Sequence, residues 1–387
     1  MHRLVCSFLL FALLLHLQGC KDEPADSYTY RIPEAAGDGW EVASAVEEGL
    51  NTSGLADMMD YLASSPGHHI HSILIIKNHK LVFEEYFEGY LYSNNPPGSN
   101  GEFIQYDREK DHYLASVSKS ITSVLFGSAV KEGFITNVDL LLRDVLPEYQ
   151  DILTGQKADI TLEHLLTMSS GLHWDEWTLP FTDPENDIYA LFHEEDPIAY
   201  ILSKFMINSP GEEFLYNSGG TNVLGAVIEK LTGMGLLDFG NQYLFGPLEV
   251  QGGLWEQMAG GYMFASGGIY LRPREQAKIG SLFLNGGYWG TQQIITEDWI
   301  TASFKEHIET NALIPQAHAY GYQWWIMDFQ AGQQSYDCFF AAGWGDQYIF
   351  IFPELDMLVV VNSGNFLSYG GVSAFDLVED FILSSLG

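Results

Sequence analysis

Two apolar runs early in the chain, Ser72-Ile-Leu-Ile-Ile-Lys77 and Lys80-Leu-Val-Phe-Glu-Glu-Tyr-Phe87, are separated only by Asn78-His79. β-branched and aromatic runs around two turn-forming residues predict a hairpin. Ahead of it, residues 55–62 carry a short amphipathic helical pattern. Behind it, residues 93–101, Ser-Asn-Asn-Pro-Pro-Gly-Ser-Asn-Gly, have the composition of a surface loop. Val117, Ile121, Val124, Leu125 and Ala129 recur at helical spacing, which predicts a helix over 116–131 with Gly133 just beyond as its stop. From 138 to 254 the pattern is mostly helical, at 140–146, 162–168, 197–206 and 221–231. A further helix at 275–284 precedes Gly286-Gly287, and four strands follow at 322–327, 336–341, 347–352 and 357–361. Short links make these strands antiparallel neighbours. The chain ends in an amphipathic helix over 372–386, with Phe375, Val378, Phe381, Ile382 and Leu386 on one stripe. Strands at both ends and helices in the middle predict an α+β fold: an antiparallel sheet built from both termini (51–136 and 255–387), flanked by helices, with an inserted, mostly helical subdomain over 137–254.

The first 50 residues follow a different pattern. Residues 4–17 are an apolar run behind Arg3. They are too short for a bilayer span, which needs about 20 apolar residues, but they match the apolar region of an export signal. Leu17-Gln18-Gly19-Cys20 follows at once and resembles a bacterial lipobox, in which the cysteine is lipidated and becomes the new N-terminus. The expectation is a lipoprotein signal peptide over 1–19, a lipid on Cys20 and a polar tether over 20–50. That would anchor an exported bacterial lipoprotein in the cell envelope, at the outer membrane or periplasmic face; the competing reading is simple secretion with Cys20 incidental. Of the three cysteines, Cys6 lies in the leader and Cys20 at the lipobox. Cys338 is then alone in the folded part, so packing must stabilise it without an internal disulfide.

Charge narrows the partners. The chain has 17 Lys and Arg against 51 Asp and Glu, a formal charge of −34. Such a polyanion is repelled by phosphates, and no basic cluster offsets this, so nucleic acid is excluded.

Ser116-Val-Ser-Lys119 sets a hydroxyl and an amine three residues apart at the start of a helix, where both share a face. A serine hydroxyl is a poor nucleophile until a base takes its proton, and a buried lysine supplies one because desolvation disfavours its ammonium. The helix N-terminus adds backbone N–H groups that can hold an oxyanion. The spacing alone is weak evidence, since Ser128-Ala-Val-Lys131 repeats it on the same helix. There the lysine sits in the last turn, where a cation simply complements the helix dipole. Tyr216, in Pro210-Gly-Glu-Glu-Phe-Leu-Tyr216-Asn-Ser218, is the candidate proton shuttle, on the expectation that a nearby lysine cation favours its phenolate.

These segments, with Ile160-Thr-Leu-Glu-His-Leu-Leu-Thr-Met-Ser-Ser-Gly171 and Tyr320-Gly-Tyr-Gln-Trp-Trp325, occur in an order that resembles the serine hydrolases related to class C β-lactamases, penicillin-binding proteins and their esterase cousins. The resemblance covers residues 53–385. It implies a β-lactamase/transpeptidase-like fold, with Ser116 as nucleophile, Lys119 and Tyr216 managing its proton and Ser218 completing the tyrosine motif. Tyr92-Ser93-Asn94 spells the family's Tyr-Ser-Asn literally, but it precedes Ser116 and falls in the Pro/Gly-rich stretch. The family's third element, Lys-Thr-Gly or His-x-Gly on a strand, should fall at Phe340-Ala-Ala-Gly343-Trp344, where Ala341 and Ala342 replace the cation. The anchor for a substrate carboxylate is then missing, which disfavours D-Ala-D-Ala peptides and β-lactams. Gly343 or Trp344 can still donate a backbone N–H to an oxyanion.

Other clusters read as structure. His68, His69 and His71 have no further ligand at metal spacing. His164 lies in an apolar helical run and reads as a hydrogen-bonded, partly buried residue. His112, four residues before Ser116, can reach the site but need not. No G-x-S-x-G elbow is present. Trp174 and Trp177, with Asp175 and Glu176, follow Gly171 in a loop that fits a cleft lining and ordinary packing equally. The expected activity is cleavage of a small-molecule or peptide-like ester or amide through an acyl-enzyme on Ser116, needing no metal or organic cofactor. The rival readings are a DD-peptidase or β-lactamase, and a non-catalytic surface binding lipoprotein.

Overall fold

The computed structural model describes residues 27–310, 313–367 and 370–387. The leader over 1–19 and Cys20 lie outside the described residues. Among the described residues the main sheet has nine strands, in the order Glu41–Val42, Lys80–Tyr86, Ile70–Lys77, Met357–Ser363, Gln347–Phe352, Gln334–Gly343, Trp325–Ala331, Ala319–Tyr320, Ile308–Glu309. All neighbours are antiparallel except the first pair. Strands from both ends of the chain meet at its centre, where Val361 pairs with Ile73 and Leu358 with Ile76.

The central strands read as unbroken apolar runs because both faces of the sheet are covered. Leu358 and Val360 point into one core with Leu74 and Ile76, under the helices Val117–Lys131 and Pro273–Leu284. Val359 and Val361 point into the other with Ile73 and Ile75, under the helix Thr52–Ala63 and the C-terminal segment. That last segment winds as Ala374–Asp376, a wider turn over Leu377–Ile382 and a tight one over Leu383–Ser385, keeping Val378 and Ile382 buried.

The Asn78-His79 turn forms as expected: both residues are left-handed, at φ 51° and 63°, the twist a two-residue hairpin requires. Residues 93–101 depart from the loop expectation. They belong to a second hairpin, Glu88–Asn94 paired with Pro97–Gln105, supported by the Tyr90–Phe103 cross-strand ring pair at 4.9 Å. Composition concealed it because the aromatic residues lie at its ends and the Pro-Pro step at its turn. Residues 27–50, within the stretch read as a tether, lie against the sheet. Tyr30 donates to the Val82 carbonyl at 2.8 Å and the Trp40 indole to the Arg274 carbonyl at 3.1 Å. Aromatic residues with a polar handle held this segment down, which a low-periodicity pattern did not reveal.

Between the two sheet-forming parts, the helix Ser218–Thr232 packs against the helix Val117–Lys131, and the helices Leu162–Leu166 and Pro197–Ser203 pack against Ser218–Thr232 in turn. That helix is buried from 117 through 129.

Candidate active site

Ser116 stands at the N-cap of the buried helix, and its side chain makes no capping bond, which frees it for other chemistry. Ala115 before it is held at φ 45°, a left-handed conformation that a Cβ makes costly. The bonds Leu114 N to Ile269 O (2.9 Å) and Val117 N to Leu114 O (3.1 Å) clamp the turn on either side.

Lys119 is 2% exposed, and its Nζ lies 2.8 Å from Ser116 Oγ and 2.9 Å from the Ser266 carbonyl oxygen. Burial pushes its pKa down to about 8, against a smaller upward pull from the Glu176 carboxylate. The neutral fraction, about a tenth at pH 7 and rising toward pH 8, lets the Ser116 hydroxyl donate across the same contact. Ser266 is fixed in turn by Asn222, which donates to Ser266 Oγ at 2.9 Å and accepts from Ser266 N at 3.1 Å.

Tyr216 is brought to the same point. Its ring lies under Lys119 Nζ, 4.8 Å from the ammonium to the centroid, and its hydroxyl hydrogen-bonds Ser116. It stacks on Trp325 at 5.8 Å. The expected phenolate is not favoured. Burial raises the Tyr216 pKa well above the ordinary phenol value, Glu176 and Tyr320 raise it further, and the bond to Ser116 only partly offsets them. Desolvation outweighs the neighbouring amine, so Tyr216 is a neutral phenol that can relay a proton and not a standing base.

Asn217 caps the helix Ser218–Thr232 by accepting from Gly220 N at 2.9 Å. Ser218 begins that helix, lines the cleft, and donates its backbone N–H to Glu176 Oε2 at 3.2 Å. The same oxygen accepts from the Trp174 indole at 2.6 Å. Gly343 ends its strand against the Leu114 backbone, while Trp344 forms a wall, 5.0 Å from Phe181 and 5.4 Å from Phe366. Ser218 and Trp344, together with Tyr92, Tyr113, Trp177, Glu256 and others, line a cavity of about 560 Å³ above Ser116.

Tyr92 therefore does reach the cleft, as wall: it sits in a strand and stacks on Tyr113 at 3.9 Å. His112 instead pairs with buried His71, Nε2 to Nδ1 at 2.8 Å. His164 closes a capping box with Thr161. Lys131 pairs with Glu132 at the helix end. Sequence reasoning missed Ser266 and Asn222. The signal available was the Phe264-Ala-Ser-Gly-Gly268 cluster, where small residues allow a backbone carbonyl to approach a buried amine.

The beta-lactamase family model matches residues 55–367. The chain belongs to the beta-lactamase family. It is 24% identical over 269 residues to the 6-aminohexanoate-dimer hydrolase of Paenarthrobacter ureafaciens, covering 64% of this chain and 65% of that one. It is 29% identical over 195 residues to the lovastatin esterase of Penicillium rubens, covering 45% and 47%. The matches thus span less than two thirds of these relatives' own lengths. A solved family VIII carboxylesterase shares the fold at TM-score 0.66 and 14% identity, over 91% of this chain and 99% of that one.

Proposed function

We propose that this family member is a serine hydrolase that cleaves an ester or amide through an acyl-enzyme on Ser116. The observation that carries it is the 2.8 Å contact between Ser116 Oγ and a lysine whose pKa burial has lowered to about 8. Ser116 Oγ attacks the substrate carbonyl carbon while its proton passes to neutral Lys119. The tetrahedral oxyanion is met by the Ser116 backbone N–H and one from Gly343 or Trp344. On collapse, the proton passes from Lys119, by way of the Tyr216 hydroxyl, to the leaving group. Water, activated by the same pair, then attacks the acyl carbonyl and frees Ser116. The hydrolase and esterase named among the relatives support this class of chemistry.

Ester or simple amide substrates are preferred over lactams and D-Ala-D-Ala peptides. Ala341 and Ala342 occupy the strand where such relatives carry a cation, and the basic side chains lining the cavity are Lys119 and His193. The test mixes the chain from Lys21 onward with p-nitrophenyl butyrate and, separately, a chromogenic cephalosporin, with Ser116→Ala as control. Ester turnover lost in the variant with the cephalosporin untouched is the expected result; Ser116-dependent opening of the cephalosporin would reverse the preference. Equal rates for wild type and variant on both would favour a binding protein.

The export reading is part of the same proposal: residues 1–19 as leader and a lipid on Cys20. Growth with an alkyne fatty acid should label the wild type and not Cys20→Ser. Equal labelling of both, or of neither, would sink the anchor.

A further inference from the structure

Two carboxylates open on the cleft, and each is fixed through a single oxygen. Glu176 Oε2 accepts from the Trp174 indole and Ser218 N. Glu256 Oε1 accepts from the Tyr270 hydroxyl at 3.1 Å and from Asn94 Nδ2. Among the described residues nothing donates to Glu176 Oε1 or Glu256 Oε2, and neither is a buried unpaired atom. Both residues line the cavity above Ser116.

Their surroundings differ. Glu176 acts on Lys119 and Tyr216 and belongs to the reaction centre. Glu256 acts on Tyr92, Tyr113 and Tyr270 instead. Its hydrogen-bond partners, Asn94 and Tyr270, are neutral, and burial holds its carboxyl above the ordinary range. A half-buried carboxylate with neutral anchors, beside aromatic rings, lacks a countercharge, and a cation arriving there gains from both the carboxylate and the rings.

We propose that Glu256 is a specificity-determining residue that receives a cationic end of the substrate, an alkylammonium group remote from the scissile carbonyl, with Tyr92 and Tyr113 as its aromatic wall. This rests on the serine-hydrolase reading. It assigns the cleft the charge preference opposite to that of a site built around a carboxylate anchor. The chain's formal charge of −34 acts in the same direction, drawing cations in and repelling anions.

The test uses three p-nitrophenyl esters of equal acyl length, ending in ammonium, methyl or carboxylate, with the full chain and with Glu256→Gln. The wild type should rank them in that order by kcat/KM, and the substitution should cut the ammonium-to-methyl ratio about tenfold, as loss of one charge-assisted contact implies. Equal rates on the ammonium and methyl esters, or a preference that survives Glu256→Gln, would overturn the inference while leaving the hydrolase intact. Should Glu256→Gln not fold, inhibition of the wild type by hexylammonium and by hexanol decides: a tenfold or greater advantage for the ammonium supports the inference, and parity overturns it. Absence of Ser116-dependent turnover on all three esters would remove the hydrolase reading, and this inference with it.

Discussion

A Cβ on Gly343 would lie 2.3 Å from the carbonyl oxygen of Leu114. The end of the strand Gln334–Gly343 thus meets, backbone to backbone, the segment two residues ahead of the nucleophile. No side chain fits, so even a methyl group must push strand and nucleophile apart. Gly343→Ala should lower kcat/KM on p-nitrophenyl butyrate by about 100-fold, the scale of a misplacement near 1 Å in a reacting constellation. A folded variant with wild-type kinetics would show that this contact does not set the site.

The acid limb of the rate profile should belong to Lys119. Its pKa is about 8 in the folded protein, so kcat/KM should rise with pH up to about that value and then level off as the amine becomes neutral. Glu176 favours the ammonium, so Glu176→Gln should move the limb to lower pH. A limb unchanged by that substitution would argue that the titrating group is another one.

His71 and His112 make the fold sensitive to acid in a window that carboxylates alone do not explain. Burial holds their pKa values at about 2 and about 4, with the charge of His112 also opposing protonation of His71. Unfolded, both titrate near the ordinary value of about 6.5. As pH falls below that value the unfolded chain takes up protons that the folded chain refuses, so stability is lost at about 1.4 kcal/mol per pH unit for each histidine left neutral. Urea melts between pH 6.5 and 5 should show this slope, and His112→Gln should flatten it. An equal slope in the variant would place the acid sensitivity elsewhere.

The legible part of the fold was the part whose pattern is local. Leu358, Val359, Val360 and Val361 read as a strand because both faces are covered, and Ser116 with Lys119 is a local spacing on one helix. What remained hidden depends on distant partners. Gln323 sits in the 322–327 stretch that reads as a strand, yet it is left-handed at φ 66° and the strand begins only at Trp325. Its side chain donates to the Leu165 and Leu166 carbonyls and accepts from Thr221, while its own carbonyl accepts from Ser120 at 2.6 Å. One buried residue, through its backbone carbonyl and its side-chain amide, therefore joins the nucleophile's helix to the helix that follows Tyr216, and nothing in the local pattern announces that. Tyr216 itself is legible by motif, but its protonation is not: proximity to an amine is visible in sequence, and depth of burial is not.

Lys119 separates activity from stability. At pH 7 its charge is held in a buried site at a cost of roughly 3 kcal/mol, the worth of a pKa lowered from 10.5 to about 8. Lys119→Met removes that cost and nearly conserves volume, but it leaves the Ser266 carbonyl without its 2.9 Å donor, a loss of about 1–3 kcal/mol. These effects offset, so the melting temperature at pH 7 should stay within a few degrees of wild type or rise, while ester turnover falls by at least about 100-fold for want of a base. The sign of the pH dependence makes the test sharper. Below pH 8 both folded and unfolded wild type keep the proton and the burial cost is full. Between about 8 and 10.5 the folded state sheds it first, so wild-type stability gains with pH where the methionine variant cannot. The melting temperature of Lys119→Met relative to wild type should therefore decline from pH 7 to pH 10. A difference that stays constant or grows over that range would mean that Lys119 is not held against its charge, and the base assigned to Ser116 would have to be sought elsewhere.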